Sequence, residues 1–101
     1  MVRMIALIRI NSLVDFESYR AKVAATLESY GGEIRFRAKK IVTLVDENEL
    51  EDFSQIALFS FPSQEDMDDW HASDAYSNVK ELRASAGSFI ILSLNPNENG
   101  A

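Results

Sequence analysis

The chain has 101 residues, 47% of them hydrophobic, with a formal net charge of −6, one histidine and no cysteine. That length fits one domain burying about two thirds of its unfolded surface, and the apolar content excludes a disordered chain. Without thiols there are no disulfides, thiolate nucleophiles, zinc fingers or iron–sulfur clusters, and one histidine cannot build a multi-histidine metal site.

The acidic balance repels phosphate backbones and the basic residues form no long tract, so nucleic acid is not an expected partner. No apolar run approaches the roughly 20 residues needed to cross a bilayer, so no membrane contact is expected. The first residues lack the basic segment, apolar stretch and cleavage site of a signal peptide, and a soluble cytoplasmic protein is expected.

Residues Val2 to Ile10 are apolar except for Arg3 and Arg9, and Ile5, Ala6, Leu7 and Ile8 give both faces of a central strand. Ser12 followed by Asp15 has capping-box spacing. Phe16, Tyr19, Val23, Leu27 and Tyr30 then recur at helical intervals, and Gly31-Gly32 stops a helix predicted from about Leu13 to Tyr30. From Glu33 the period becomes two, with Ile34 and Phe36 on one face and Arg35, Arg37 and Lys39 on the other. The strand is expected to resume from Ile41 to Val45 after a bulge or bend.

Residues 46–52 hold five acids in seven positions but no EF-hand glycine or ligand order, so they are expected to form a solvated loop. Phe53 to Phe61 reads as the third strand, apolar on both faces, and Pro62 ends it. Ser63 and Asp66 repeat the capping spacing ahead of a helix that starts with Glu65, Asp66, Asp68 and Asp69. Ser73 caps a further helix with Tyr76, Val79, Leu82 or Arg83, and Ala86 inward, stopped by Gly87. Ser88 to Leu94 is the last strand, and residues 95–101 read as a loose tail after one domain over residues 1–94.

This order, β-α-β-β-α-β, predicts the ferredoxin-like α+β arrangement: a four-stranded antiparallel sheet with its helices on one face. The other face should be polar in a solitary domain, yet three strands are apolar on both sides. A homodimer with its two sheets packed face to face resolves the conflict.

Tyr30-Gly31-Gly32, the strand with Arg37, Phe61-Pro62-Ser63, the run from Trp70 to Tyr76 and the closing Phe89 to Leu94 carry a resemblance. Together they resemble the family catalogued as domain of unknown function 1330, in the dimeric α+β barrel superfamily. The resemblance spans about residues 2 to 94, and Trp-x-x-Ser-x-x-Tyr is its most specific part. After the second-strand arginine, where the family commonly has Gly-Gly, this chain has Ala38, Lys39 and Lys40. The resemblance implies a pocket between helices and sheet, where superfamily relatives such as small cofactor-independent monooxygenases, muconolactone isomerase and haem-binding enzymes hold their ligands.

His71 is the candidate general acid or base because its ordinary pKa lies near neutrality. As a haem ligand it has no further signature beside it, and neither a cofactor nor a metal is expected. Arg37 is a candidate holder of a carboxylate or enolate, and Arg9 interrupts an apolar strand, so it must pair, face a polar cavity or reach solvent. Trp70, Tyr76 and Tyr19 are candidate walls of the pocket, the tyrosines with a hydroxyl to donate. Ser63 and Ser73 read as helix caps, since no Gly-x-Ser-x-Gly elbow is present. Two functions follow as expectations. One is a cofactor-independent enzyme, monooxygenase- or isomerase-like, acting on a small aromatic or enolic acid. The other is a non-catalytic, ligand-binding or stress-related dimeric module.

Overall fold

The computed structural model describes residues 1–50 and 52–95, so all but the first residue of the predicted tail lies outside the described residues. Strands β1 (Val2–Ile10), β2 (Glu33–Lys39), β3 (Gln55–Phe61) and β4 (Gly87–Leu94) form one sheet in the order β2-β3-β1-β4, with every pair antiparallel. The two central strands, β3 and β1, are among the three that read as apolar on both faces. Helices α1 (Leu13–Leu27), α2 (Gln64–His71), α3 (Asp74–Ser77) and α4 (Lys80–Ala86) contribute the other half of the core. This is the ferredoxin-like fold that the chain order predicts.

Local chemistry sets the boundaries. The Ser12 hydroxyl accepts from the Asp15 N–H, Ser63 from Asp66 and Ser73 from Tyr76, so each predicted cap satisfies a donor that the helix leaves free. After α1 a 3₁₀ turn spans Glu28–Tyr30 and ends at Gly31, whose φ of 69° is left-handed and cheap only for glycine. Gly87 answers a different demand. A Cβ there would lie 2.0 Å from the Arg9 carbonyl oxygen, so only glycine lets β4 start this close to β1.

Two expectations about the second strand are corrected. The irregularity lies between Ile34 and Phe36, not after Lys40. Arg35 is the extra residue, and the register Ile34 with Phe59, Phe36 with Leu58 and Arg37 with Ala57 turns Ile34 and Arg37 toward the helices and Phe36 away. The segment Ile41 to Val45 is not a strand. Lys40 donates to the Ser54 carbonyl at 2.8 Å, just ahead of the start of β3, and past that point the edge strand has nothing to pair with. Ile41 and Leu44 accordingly stand 96% and 88% exposed. The acidic loop that follows is solvent-exposed over its described residues, with Asp52 paired to Lys40 and the Asp46 carboxylate accepting from the Leu50 N–H.

The core lies between sheet and helices. Met4, Ala6 and Ile8 of β1 and Ala57, Phe59 and Phe61 of β3 meet Phe16, Tyr19, Val23 and Leu27 of α1. Phe61, Trp70 and Tyr76 are almost wholly buried and pack ring against ring, Trp70 lying 5.5 Å from Phe61 and 4.4 Å from Tyr76 between centroids. Truncating Trp70 to alanine would cost about 3–5 kcal/mol. The sheet's opposite face has no element over it among the described residues. Ile5, Leu7, Ile56, Leu58 and Ile90 are only half-buried there, and Phe36 and Leu92 are 57% and 47% exposed. Among the described residues no helix is long and apolar enough to cross a membrane.

Candidate functional site

Between α1 and the inner sheet face the packing leaves a cavity of about 60 Å³. Its walls are apolar, among them Met4, Ala6, Val23, Phe59 and Ile91, and Trp70 closes one side. Polar residues line it at four points: Tyr19 and Arg20 from α1, Arg37 from β2 and Gln55 from β3. The bulge at Arg35 is what brings Arg37 to this side.

A second, more open hollow of about 330 Å³ adjoins the first. Phe89 and Ile91 border both, and His71, Arg83, Ala84 and Gly87 complete the outer one. Phe89 therefore stands between a largely apolar interior and a more polar vestibule, its ring 5.2 Å from that of Tyr19 and 6.5 Å from that of Phe16.

A chain of hydrogen bonds spans the two spaces. Arg83 donates from Nη1 to the Tyr76 hydroxyl at 2.9 Å, and the Tyr76 and Tyr19 hydroxyls are 2.9 Å apart. Burial, reinforced by the hydrogen bond to Tyr76, pushes the Tyr19 phenol far above its ordinary pKa, so it stays protonated. The indole N–H of Trp70 is already used, donating to Thr26 Oγ1 at 2.9 Å. Trp70 thus offers a wall and no donor.

His71 is exposed at the rim of the vestibule, its ring 5.5 Å from that of Tyr76. Partial desolvation is the largest cause lowering its pKa, followed by the charges of Lys80 and Arg83, while Asp68 acts weakly in the opposite sense. The imidazole is therefore neutral at pH 7, the form that accepts a proton.

The six residues singled out in the sequence separate. Tyr19, Trp70 and Arg37 border the cavity, Tyr76 lies directly behind Tyr19, and His71 opens onto the vestibule. Arg9 is on the other side of the sheet, donating to Ser88 Oγ at 3.0 Å near the strand end, so it reaches neither space. Arg83 takes the place that the sequence offered to Arg9 or Arg37 beside His71. Its one signal was the inward helical spacing Tyr76, Val79, Arg83, Ala86, shared with Leu82. Among the described residues no group of three or more His, Asp or Glu side chains is placed to hold a metal.

The same arrangement of one antiparallel sheet and its helices occurs in known proteins. The family described as Domain of unknown function (DUF1330) matches residues 2–94. The chain belongs to this family. Solved structures similar to this DUF1330 chain share its fold at low identity. One is a protein of unknown function from Rhodopseudomonas palustris, 16% identical with a TM-score of 0.75, covering 96% of this chain and 82% of that one. Another is the hydroxynitrile lyase of Passiflora edulis, 20% identical with a TM-score of 0.69, covering 96% and 94%. A third, a dimeric ferredoxin-like protein of unknown function from Thermobifida fusca, is 10% identical with a TM-score of 0.59, covering 92% and 88%. No curated protein matches the chain.

Proposed function

We propose that this DUF1330 protein acts as a homodimer, its two sheets packed face to face, and that each subunit binds one small, mostly apolar acid under α1. In this reading the apolar body enters the cavity past Phe89 while the carboxylate stays in the vestibule. The observation that carries it is the junction at Phe89 and Ile91, where a largely apolar cavity meets a hollow bordered by Arg83 and His71. Arg83 spends one N–H on Tyr76 and retains others for an anion. Arg37, bordering the cavity, is a second anchor for a ligand oxygen.

The chemistry these groups support is proton transfer without a cofactor. His71 accepts a proton from the carbon next to a carbonyl, the C–H electron pair becomes the enolate, and Arg83 offsets the charge that develops on oxygen. The solved relatives do not select a reaction, because one fold supports many chemistries. A second reading, a non-catalytic binding module, is favoured by one observation: His71 is not among the residues of the cavity itself.

The uncovered sheet face supports the homodimer. An apolar surface running across all four strands, bordered by Arg3 and Arg9, is larger than solitary domains usually leave in water. The dimeric Thermobifida fusca neighbour is consistent with this, as is a location in the cytoplasm with the absence of thiols.

Phenylpyruvate tests the catalytic reading, since it combines an aromatic body, a carboxylate and an enolisable carbon. Loss of its methylene proton signal in D₂O should be accelerated by the protein and fall to the protein-free rate in His71→Ala. Saturable binding without acceleration would select the binding module. No binding of phenylpyruvate, benzoate or neutral analogues would sink both readings.

A further inference from the structure

The Tyr19–Tyr76–Arg83 chain has a direction. A guanidinium only donates, so the Tyr76 oxygen must accept from Arg83. The bond between the two tyrosines could run either way. If Tyr19 donated, the Tyr76 hydrogen would need another acceptor, and Tyr76 is fully buried, borders neither space and makes no third side-chain hydrogen bond among the described residues. A buried hydroxyl hydrogen without an acceptor costs about 1–3 kcal/mol. If Tyr76 donates, its oxygen and hydrogen are both satisfied, and the hydrogen left over belongs to Tyr19, which does border the cavity.

We propose that Tyr19 is the cavity's polar recognition residue, a hydrogen-bond donor whose proton is turned toward the ligand by Arg83 acting through Tyr76. The ligand must then carry an acceptor on the part of it that lies inside the cavity: a ketone, aldehyde or enolate oxygen, distinct from any carboxylate in the vestibule. This rests on the reading that the cavity holds a small molecule, and it narrows that molecule to carbonyl compounds. Arg83 is a positioning residue in this role, because it sets which tyrosine donates without touching the oxygen that is recognised. Its charge also polarises the Tyr76 O–H, which strengthens the next bond in the chain. Burial, which disfavours the phenolate, keeps the proton on Tyr19.

Cyclopentanone and cyclopentane, close in shape and differing in the acceptor, provide the test. Their binding is read by titration of labelled protein, together with the ¹³C shift of the ketone carbonyl, which moves downfield when it accepts a hydrogen bond. The unaltered protein should prefer the ketone by about tenfold, the worth of one buried hydrogen bond. Tyr19→Phe should abolish both the preference and the carbonyl shift while cyclopentane binds as before. Arg83→Met removes the obligate donor, lets Tyr19 turn its proton to Tyr76, and should lose the preference as well. Arg83→Lys should restore it, and in a Tyr19→Phe background Arg83→Met should change nothing further. Should Tyr19→Phe fail to fold, Tyr76→Phe removes the competing acceptor, so in that background Arg83→Met should no longer lower the preference. Equal binding of the two probes by the unaltered protein, or a preference that survives Tyr19→Phe, would overturn the donor role and leave the cavity reading standing. Failure of both probes to bind at millimolar concentration would overturn the cavity reading, and this inference with it.

Discussion

Ile34 and Arg37 face the helices together although three positions separate them on one strand, because Arg35 between them is taken up as a bulge. The pairs on either side of the bulge keep their register, and Arg35 itself is held by Ser60 Oγ at 2.8 Å and Glu33 at 2.9 Å. Deleting Arg35 should therefore leave Arg37 at the cavity. The expected cost is about 1–3 kcal/mol, mostly for the buried Ser60 hydroxyl that loses its donor. Deleting Ala6 from the bulge-free β1 inverts the faces of a central strand and should prevent folding. Urea denaturation of both variants checks this; equal damage would contradict the assignment of the bulge.

The tyrosine pair should couple energetically. Tyr19→Phe and Tyr76→Phe each strand a partner, so each should destabilise by about 1–3 kcal/mol, and the double variant should cost less than the sum. A double-mutant cycle by thermal or urea denaturation measures the difference. Strict additivity would mean that the 2.9 Å contact contributes nothing.

His71 makes a pH signature. Its pKa in the folded protein lies below its ordinary 6.5, so the unfolded chain binds more protons in the interval between the two values. Stability should be unaffected by this group above that interval, decline as pH falls through it, and level off below the folded pKa. Replacing His71 with Gln should flatten that decline. Removing the Lys80 or Arg83 charge should move the histidine's NMR titration upward; a titration at or above 6.5 in the unaltered protein would contradict the placement of these cations.

Apolar contact should hold the dimer. Leu58→Glu puts a charge at the centre of the uncovered face, on a half-buried side chain that belongs to neither the helix-facing core nor the cavity. Sedimentation should change from dimer to monomer with the secondary structure retained. An unaltered protein that sediments as a monomer at micromolar concentration would defeat the assembly.

The fold was legible because its signals are periodic. Apolar runs marked three strands, alternation marked the second and helical recurrence the helices, and Ser12, Ser63, Ser73, Gly31 and Gly87 marked their ends. Ile41 to Val45 misled because β-branched residues report preference, while a strand also needs a neighbour. Arg37 was named as a candidate but on the other face of its strand, and Arg83 was not named for the site at all. Arg37 reached the cavity through a bulge that alternation alone places elsewhere. Arg83 shared its inward slot with Leu82, and its closeness to His71 depends on how α2 and α4 meet, which no local pattern encodes. His71 and the aromatic cluster were findable because they are rare residues, but their grouping in two adjoining spaces depends on the packing of α1 against β4.

The most direct test is a crystal structure of the protein grown with phenylpyruvate. The account predicts its ring beneath α1 against Met4 and Trp70, its ketone oxygen within hydrogen-bond distance of the Tyr19 hydroxyl, and its carboxylate beside Arg83 and His71. An unchanged, ligand-free cavity at saturating phenylpyruvate, or ligand held only on the uncovered sheet face, would contradict it.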